Sequence, residues 1–127
     1  MNFKVEFFEN KFTDAIGAGI YSISVRTGDK EELLYIGESV FVLVRCATHL
    51  YEISKGEGYL GFNKESLERE DITLVFKLID QEQDKAKRVS RETAYVKELN
   101  PRLQSGIKDR VKPVEEMIEE MPRLLNH

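Results

Sequence analysis

The sequence predicts a small mixed α/β (α+β) domain, and three observations carry that expectation. Ala18 to Arg26 and Leu33 to Ile36 are extended runs either side of the turn-forming Thr27-Gly28-Asp29-Lys30, which reads as an antiparallel hairpin. Asp71 to Asp80 is a longer strand, with Ile72, Leu74, Phe76 and Leu78 alternating with Thr73, Val75, Lys77 and Ile79. After Glu38, and again from Asp80 to about Leu99, apolar residues recur at spacings of three and four, the period of helices.

At the N-terminus Phe3-Lys4-Val5-Glu6-Phe7 alternates apolar and polar, as a short extra strand or an arm packed on the sheet edge would. Asn10 to Gly17 connects it to the hairpin. There Tyr21, Ile23 and Val25 share one face, and Ile20, Ser22 and Ser24 the other. The hairpin holds two tripeptides, Gly19-Ile20-Tyr21 and Tyr35-Ile36-Gly37. Glycine at such places permits close backbone approach or an unusual dihedral. Taken alone, the two tyrosines read as core aromatics with a hydroxyl at the rim.

From Glu38 the stripe Val40, Leu43, Val44, Ala47, Leu50 and Tyr51 is expected to face the core. Glu38, Arg45, His49 and Glu52 fall on roughly the opposite side, with Arg45 and His49 one turn apart. That spacing permits a site beside the strands and equally permits solvent exposure. Cys46 reads as a small helix residue. Ser54 to Phe62, with Gly56, Gly58 and Gly61, is expected to be a flexible loop. Its Lys55, Tyr59 and Phe62, with Lys64 beyond, either contact a nucleic acid or, for the aromatics, anchor the loop to the fold.

Asn63 is placed to cap a short helix through Arg69. The strand from Asp71, apolar on both faces, is expected to lie within the sheet. Asp80 and Gln83 then form a capping box for the helix running to Leu99, whose stripe is Val89, Val96 and Leu99 with Tyr95 beside it. Glu92 sits inside that stripe. A carboxylate there costs several kcal/mol in desolvation unless it is paired. Its partner is an arginine such as Arg45, a proton, or a divalent ion at the rim of the sheet. Asn100-Pro101 ends the helix. Pro113 opens a last one, with Val114, Met117, Ile118 and Met121 on one side, which covers the core or serves a dimer.

The 127 residues suit one domain, and 41% hydrophobic with 33% charged residues describes an ordinary globular composition. No apolar run reaches membrane-spanning length, and the N-terminus lacks the layout of a signal peptide. A lone cysteine rules out a disulfide framework and a cysteine zinc cluster, and fits a reducing, cytoplasmic location. The net charge of −4 is unlike that of many nucleic-acid proteins. Yet Lys85, Lys87, Arg88, Arg91, Lys97, Arg102, Lys108, Arg110 and Lys112 form a basic segment, and screening over about 8 Å lets such a segment act locally.

The paired tripeptides resemble those of the GIY-YIG nucleases, which include homing endonucleases, some restriction enzymes and the incision subunit of bacterial excision repair. Arg45 lies eight positions after Gly37, where the family has its arginine, and His49 follows by four. Glu92 precedes Asn100-Pro101-Arg102, similar to the family's glutamate and proline-containing turn. The resemblance spans roughly Ala18 to Gln104, with 105–127 as a C-terminal extension. It implies a three-stranded antiparallel sheet flanked by helices, with the N-terminal arm or strand and an extra C-terminal helix added. It also implies a metal-dependent endonuclease acting on duplex or branched DNA. Glu92 would be the lone protein ligand of one Mg²⁺ or Mn²⁺, and Arg45 would hold phosphate oxygens. Tyr21 would act as general base or orient the water, Tyr35 would support it, and His49 would accept the Tyr21 proton. Gly19 and Gly37 would shape the hairpin.

Lys55, Lys64, Arg88, Arg91, Arg102 and Gln104 are the further candidates for nucleic-acid contact. A homodimer through the C-terminal helix and no membrane partner complete that expectation. Many members follow the second tripeptide with lysine; Glu38 stands there and lowers the local positive field. Gln104 takes the place of a common asparagine. A reading from another class keeps the same fold as a non-catalytic DNA-binding or adaptor module.

Overall fold

The computed structural model describes residues 1–104. In chain order the elements are β1 (Lys4–Phe7), a 3-10 turn (Asp14–Ile16), β2 (Gly19–Thr27), β3 (Lys30–Ser39), α1 (Val42–Ser54), β4 (Glu57–Tyr59), β5 (Phe62–Asn63), α2 (Lys64–Leu67), β6 (Ile72–Gln81) and α3 (Lys85–Leu99). The main sheet has four strands in the order β1-β6-β2-β3, and β4 and β5 form a small second sheet.

The fold is therefore mixed α+β, with a larger sheet than the three antiparallel strands expected. β2 pairs antiparallel with both β3 and β6, while β1 adds parallel to the far side of β6. The alternation at Phe3–Phe7 is what recruits it, since Phe7 packs edge-on against Phe76. β6 thus has strands on both sides, which suits its apolar residues on both faces. The expected helix beginning at Pro113, and the dimer contact assigned to it, lie outside the described residues.

The hairpin closes through two residues, Gly28-Asp29, between the paired Thr27 and Lys30. Gly28 takes φ 61°, the conformation a tight hairpin turn asks of its first position. The other two informative glycines serve close approach. A Cβ on Gly19 would strike the carbonyl oxygen of Asp80 on β6. One on Gly37 would strike the hydroxyl end of Tyr21, its register partner across β2 and β3. Both tripeptides thus need glycine because a strand or a ring occupies the space of its side chain.

The helices turn different faces inward from those their apolar stripes suggest. In α1 the buried residues are Val42, Arg45, Cys46, His49 and Ile53. Val44 and Tyr51, expected in the core, are 51% and 56% exposed, and Ala47 is exposed too. Two polar residues can face the sheet because partners satisfy them there, so counting apolar positions selects the wrong side. β6 runs through Asp80 to Gln81, so Asp80 and Gln83 form no capping box. The cap of α3 is Asp84, whose carboxylate accepts from the Lys87 amide at 2.9 Å. The inward side of α3 carries the buried Arg88 and the half-buried Glu92, Tyr95 and Val96, while Val89 and Leu99 stand 44% and 48% exposed.

Asn100 closes α3 in the left-handed region at φ 48°. The chain then runs beside β3, with the Arg102 and Leu103 amides donating to the Leu33 and Leu34 carbonyls. Asn63 caps α2 as expected, reciprocally with Ser66, though the helix ends at Leu67. The glycine-rich stretch is not the flexible loop expected: it pairs as β4 and β5, because the buried Tyr59 and Phe62 anchor it to the core. No helix among the described residues is long and apolar enough to cross a membrane.

Gly19→Ala and Gly37→Ala should each lower unfolding free energy by roughly 1–3 kcal/mol, the cost of overpacking. Gly17→Ala, whose Cβ would meet only a side-chain atom of Gln83 at 3.7 Å, should be close to neutral. Urea titration followed by circular dichroism compares the three.

Candidate functional site

Tyr21 and Gly37 stand opposite each other on the sheet face that α1 covers. The missing Gly37 side chain leaves room for the Tyr21 phenol, whose oxygen lies 2.8 Å from Nε2 of His49. The other ring nitrogen of His49, Nδ1, is 2.6 Å from the Tyr59 hydroxyl, and the two rings stack with centroids 5.8 Å apart. Tyr35, half-buried, lies 6.3 Å from the Tyr21 ring and 5.4 Å from His49 by centroids. Arg45, one turn before His49, is 5% exposed, and its positive charge bears on the Tyr21 phenol. The structure thus brings together Tyr21, Tyr35, Arg45 and His49 and adds Tyr59. Among the described residues no buried polar side-chain atom lacks a partner.

Burial sets the protonation of this cluster. Withdrawal from water, the largest effect, pushes the Tyr21 phenol well above its ordinary value, and the Arg45 charge only partly offsets it. The same withdrawal lowers His49 to about 3, with the nearby Arg45 cation adding to the shift. Burial likewise holds Cys46 as a thiol. At neutral pH Tyr21 is a phenol and His49 a neutral imidazole.

The other sheet face carries Ile20, Glu38 and Asp80, which are register partners. Neighbouring residues of a strand point to opposite sides, so α3 covers this face and α1 the first. Arg88, 2% exposed, donates from Nε to Glu38 at 2.8 Å and from its η nitrogen to the Gln83 carbonyl at 2.9 Å. The Tyr95 hydroxyl donates to Asp80 at 2.5 Å. Glu92 follows Arg88 by one turn and precedes Tyr95 by another, so it belongs to the same inward side. α1 begins three residues past the end of β3, close to where Glu38 meets Arg88. Among the described residues no three His, Cys, Asp or Glu side chains gather as a metal cage.

The candidate nucleic-acid contacts divide. Arg88 is interior, committed to Glu38 and to backbone carbonyls, so it does not present the surface guanidinium expected of it. The Gln104 amide bridges the edge of β3, accepting from the Ile36 amide and donating to the Ile36 carbonyl, both at 2.8 Å. Arg102 pairs with Glu32 at 2.8 Å, Arg91 with Glu82 at 3.2 Å, and Lys55 with Glu52 at 3.0 Å. Lys64 is exposed at the start of α2. The Arg88 pair also answers the charge of Glu38, which counts as half of a neutral pair and not as a lone negative charge.

Sequence reasoning missed two participants. Tyr59 was one aromatic among several in a glycine-rich stretch, and nothing local ties it to His49. The Arg88–Glu38 pair joins residues 50 apart, beyond the reach of any local pattern. Comparison with family models, with curated proteins and with solved structures returns no match for this chain.

His49 should stay neutral as acid is added, whereas the unfolded chain binds a proton below about pH 6.5. The unfolded state then holds more protons, so stability falls as the pH is lowered, by about 2 kcal/mol from pH 6.5 to 5 for this group. Titration of the folded protein by NMR should show no protonation of the His49 ring across that window. A transition near its ordinary value would contradict the assignment.

Proposed function

We propose that this chain is a small divalent-metal-dependent endonuclease of the GIY-YIG kind, hydrolysing DNA phosphodiester bonds. The observation that carries the reading is the contact of Tyr21, His49 and Arg45 above Gly37. The first tripeptide, the second tripeptide and the helix arginine–histidine pair meet at one place.

Hydrolysis needs an activated water, stabilisation of charge on the phosphate and help for the leaving oxygen. Arg45 would hold phosphate oxygens through its planar fork. Tyr21, with its proton directed to His49, would orient or deprotonate the water. Tyr35, the more exposed tyrosine, would line the entrance and support Tyr21. Glu92, a half-buried carboxylate on the inward side of α3, fits the hard, oxygen-seeking Mg²⁺ or Mn²⁺ as a single ligand. With no cage of three donors among the described residues, water and phosphate oxygens would complete such an ion's shell. When bound it would supply charge stabilisation at the phosphate and leaving oxygen.

Duplex or branched DNA would lie along the rim, its phosphates met by the exposed Lys85, Lys87 and Lys97 of α3, with Lys55, Lys64, Arg91 and Arg102 as further contacts. Arg88 and Gln104 have internal roles and are left out of that surface.

Supercoiled plasmid and branched oligonucleotides incubated with Mg²⁺ or Mn²⁺ should be cut by the wild type. Glu92→Ala and Tyr21→Phe should each lose roughly 10²-fold or more, with folding intact. Because burial raises Tyr21 and lowers His49, the cleavage rate should rise with pH above neutrality and show no step near pH 6.5. Salt-sensitive DNA binding without cleavage on any substrate would replace this reading with a binding or adaptor module.

A further inference from the structure

Tyr59 is held by a turn built around left-handed backbone. Gly58, Leu60 and Gly61 take φ values of 97°, 52° and 81°. The Gly61 amide closes the turn on the Gly58 carbonyl at 2.9 Å, and Tyr59 pairs with Phe62 across β4 and β5. A leucine at positive φ is uncommon and strained, so the surrounding structure over-determines this loop. Its result is a buried tyrosine stacked on His49, with its hydroxyl on Nδ1.

The direction of that hydrogen bond follows from the donors on the other side. The Arg45 cation acts on Tyr21, and a cation favours the lone pairs of the phenol oxygen facing it and the hydroxyl proton facing away. The Tyr21 proton then needs an acceptor, and Nε2 of His49 stands 2.8 Å away. A bare Nε2 on a neutral imidazole places the ring proton on Nδ1, which must donate to Tyr59. In the opposite tautomer Nε2–H would donate to the Tyr21 oxygen on which the Arg45 cation already acts, and the Tyr21 proton would be turned away from the imidazole.

We infer that Tyr59 is a positioning residue: its hydroxyl oxygen accepts from Nδ1–H of His49 and fixes the tautomer whose bare Nε2 receives the Tyr21 proton. The assignment deepens the nuclease proposal and rests on it for its catalytic consequence alone. Tyr59 touches neither water nor phosphate in this scheme; it acts through His49.

Long-range ¹⁵N–¹H NMR of the full chain near pH 7 reads the tautomer directly. The wild type should show Nδ1 protonated and Nε2 bare, and Tyr59→Phe should show a mixture or the reverse. A wild type with Nε2 protonated, or a Tyr59→Phe ring identical to the wild type, would overturn the inference. On plasmid DNA with Mg²⁺ or Mn²⁺, Tyr59→Phe should lower kcat by roughly 10- to 100-fold, part of what positioned proton transfer contributes, and leave KM unchanged. A raised KM at unchanged kcat would make Tyr59 a binding residue and sink the positioning role. An inactive wild type would remove the nuclease reading, while the spectra alone still decide the tautomer.

Discussion

The structure depends on a polar chain placed where a core is usually oily: the Tyr21 hydroxyl, the two nitrogens of His49 and the Tyr59 hydroxyl, linked at 2.8 and 2.6 Å. Each of these groups would cost roughly 1–3 kcal/mol if buried without a partner. Because each satisfies the next, α1 can turn its Arg45–His49 side to the sheet and leave Val44 and Tyr51 outside. The chain also ties three elements that are distant in sequence, since Tyr21 belongs to β2, His49 to α1 and Tyr59 to β4. Gly37 completes the arrangement by leaving out the one side chain that would occupy the phenol's place. A partly satisfied network is worse than an apolar core, so these residues form one unit and not a set of separable contacts.

The opposite layer follows a similar logic with charge in place of neutral groups. Arg88 is nearly sealed from solvent, yet its guanidinium meets Glu38 and backbone carbonyls, so α3 is fastened to the end of β3 by an ion pair. Breaking such a pair costs about 3–5 kcal/mol because it strands a buried charge. Its worth therefore lies less in net stability than in fixing where α3 sits and which way its inward side points. That placement carries Glu92 along, one turn from Arg88.

The strands of the main sheet were largely legible in the sequence, while β4, β5 and the helix faces were not, for a physical reason. The period-two alternation of β2 and β6 and the Gly28-Asp29 turn are local properties, and the structure keeps them. Which side of a helix turns inward is a contest between apolar area and the availability of partners, and those partners sit elsewhere in the chain. His49 looks polar until Tyr21 and Tyr59 are known to flank it; Arg88 looks like a surface cation until Glu38, fifty residues earlier, is found against it. Glu92 is half-buried, but the stripe it was read as interrupting is only partly the inward one, since Val89 and Leu99 stand exposed. The fourth strand lay between the two readings, since Phe3–Phe7 showed its alternation but not its parallel pairing with β6. Tyr59 carried no local signal, since its role exists only through the fold.

Burial has moved the two central groups in directions that oppose ionisation, Tyr21 upward and His49 down to about 3. The phenol and the imidazole thus hold no charge at rest, leaving the Arg45 guanidinium as the charged group beside them, and on the nuclease proposal that is a useful property. An imidazolium standing ready beside a buried arginine would set two like charges together in the absence of substrate. A neutral phenol–imidazole pair avoids that, and on the same proposal it would become a proton path only when more positive charge arrives at the rim and favours the phenolate. Arg45 already biases Tyr21 that way without prevailing over burial. Substrate and a divalent ion, arriving together at a carboxylate that cannot cage the ion alone, would supply the remainder. The same low dielectric that silences the site without ligand would then strengthen every interaction made within it, so activation and binding would be one event.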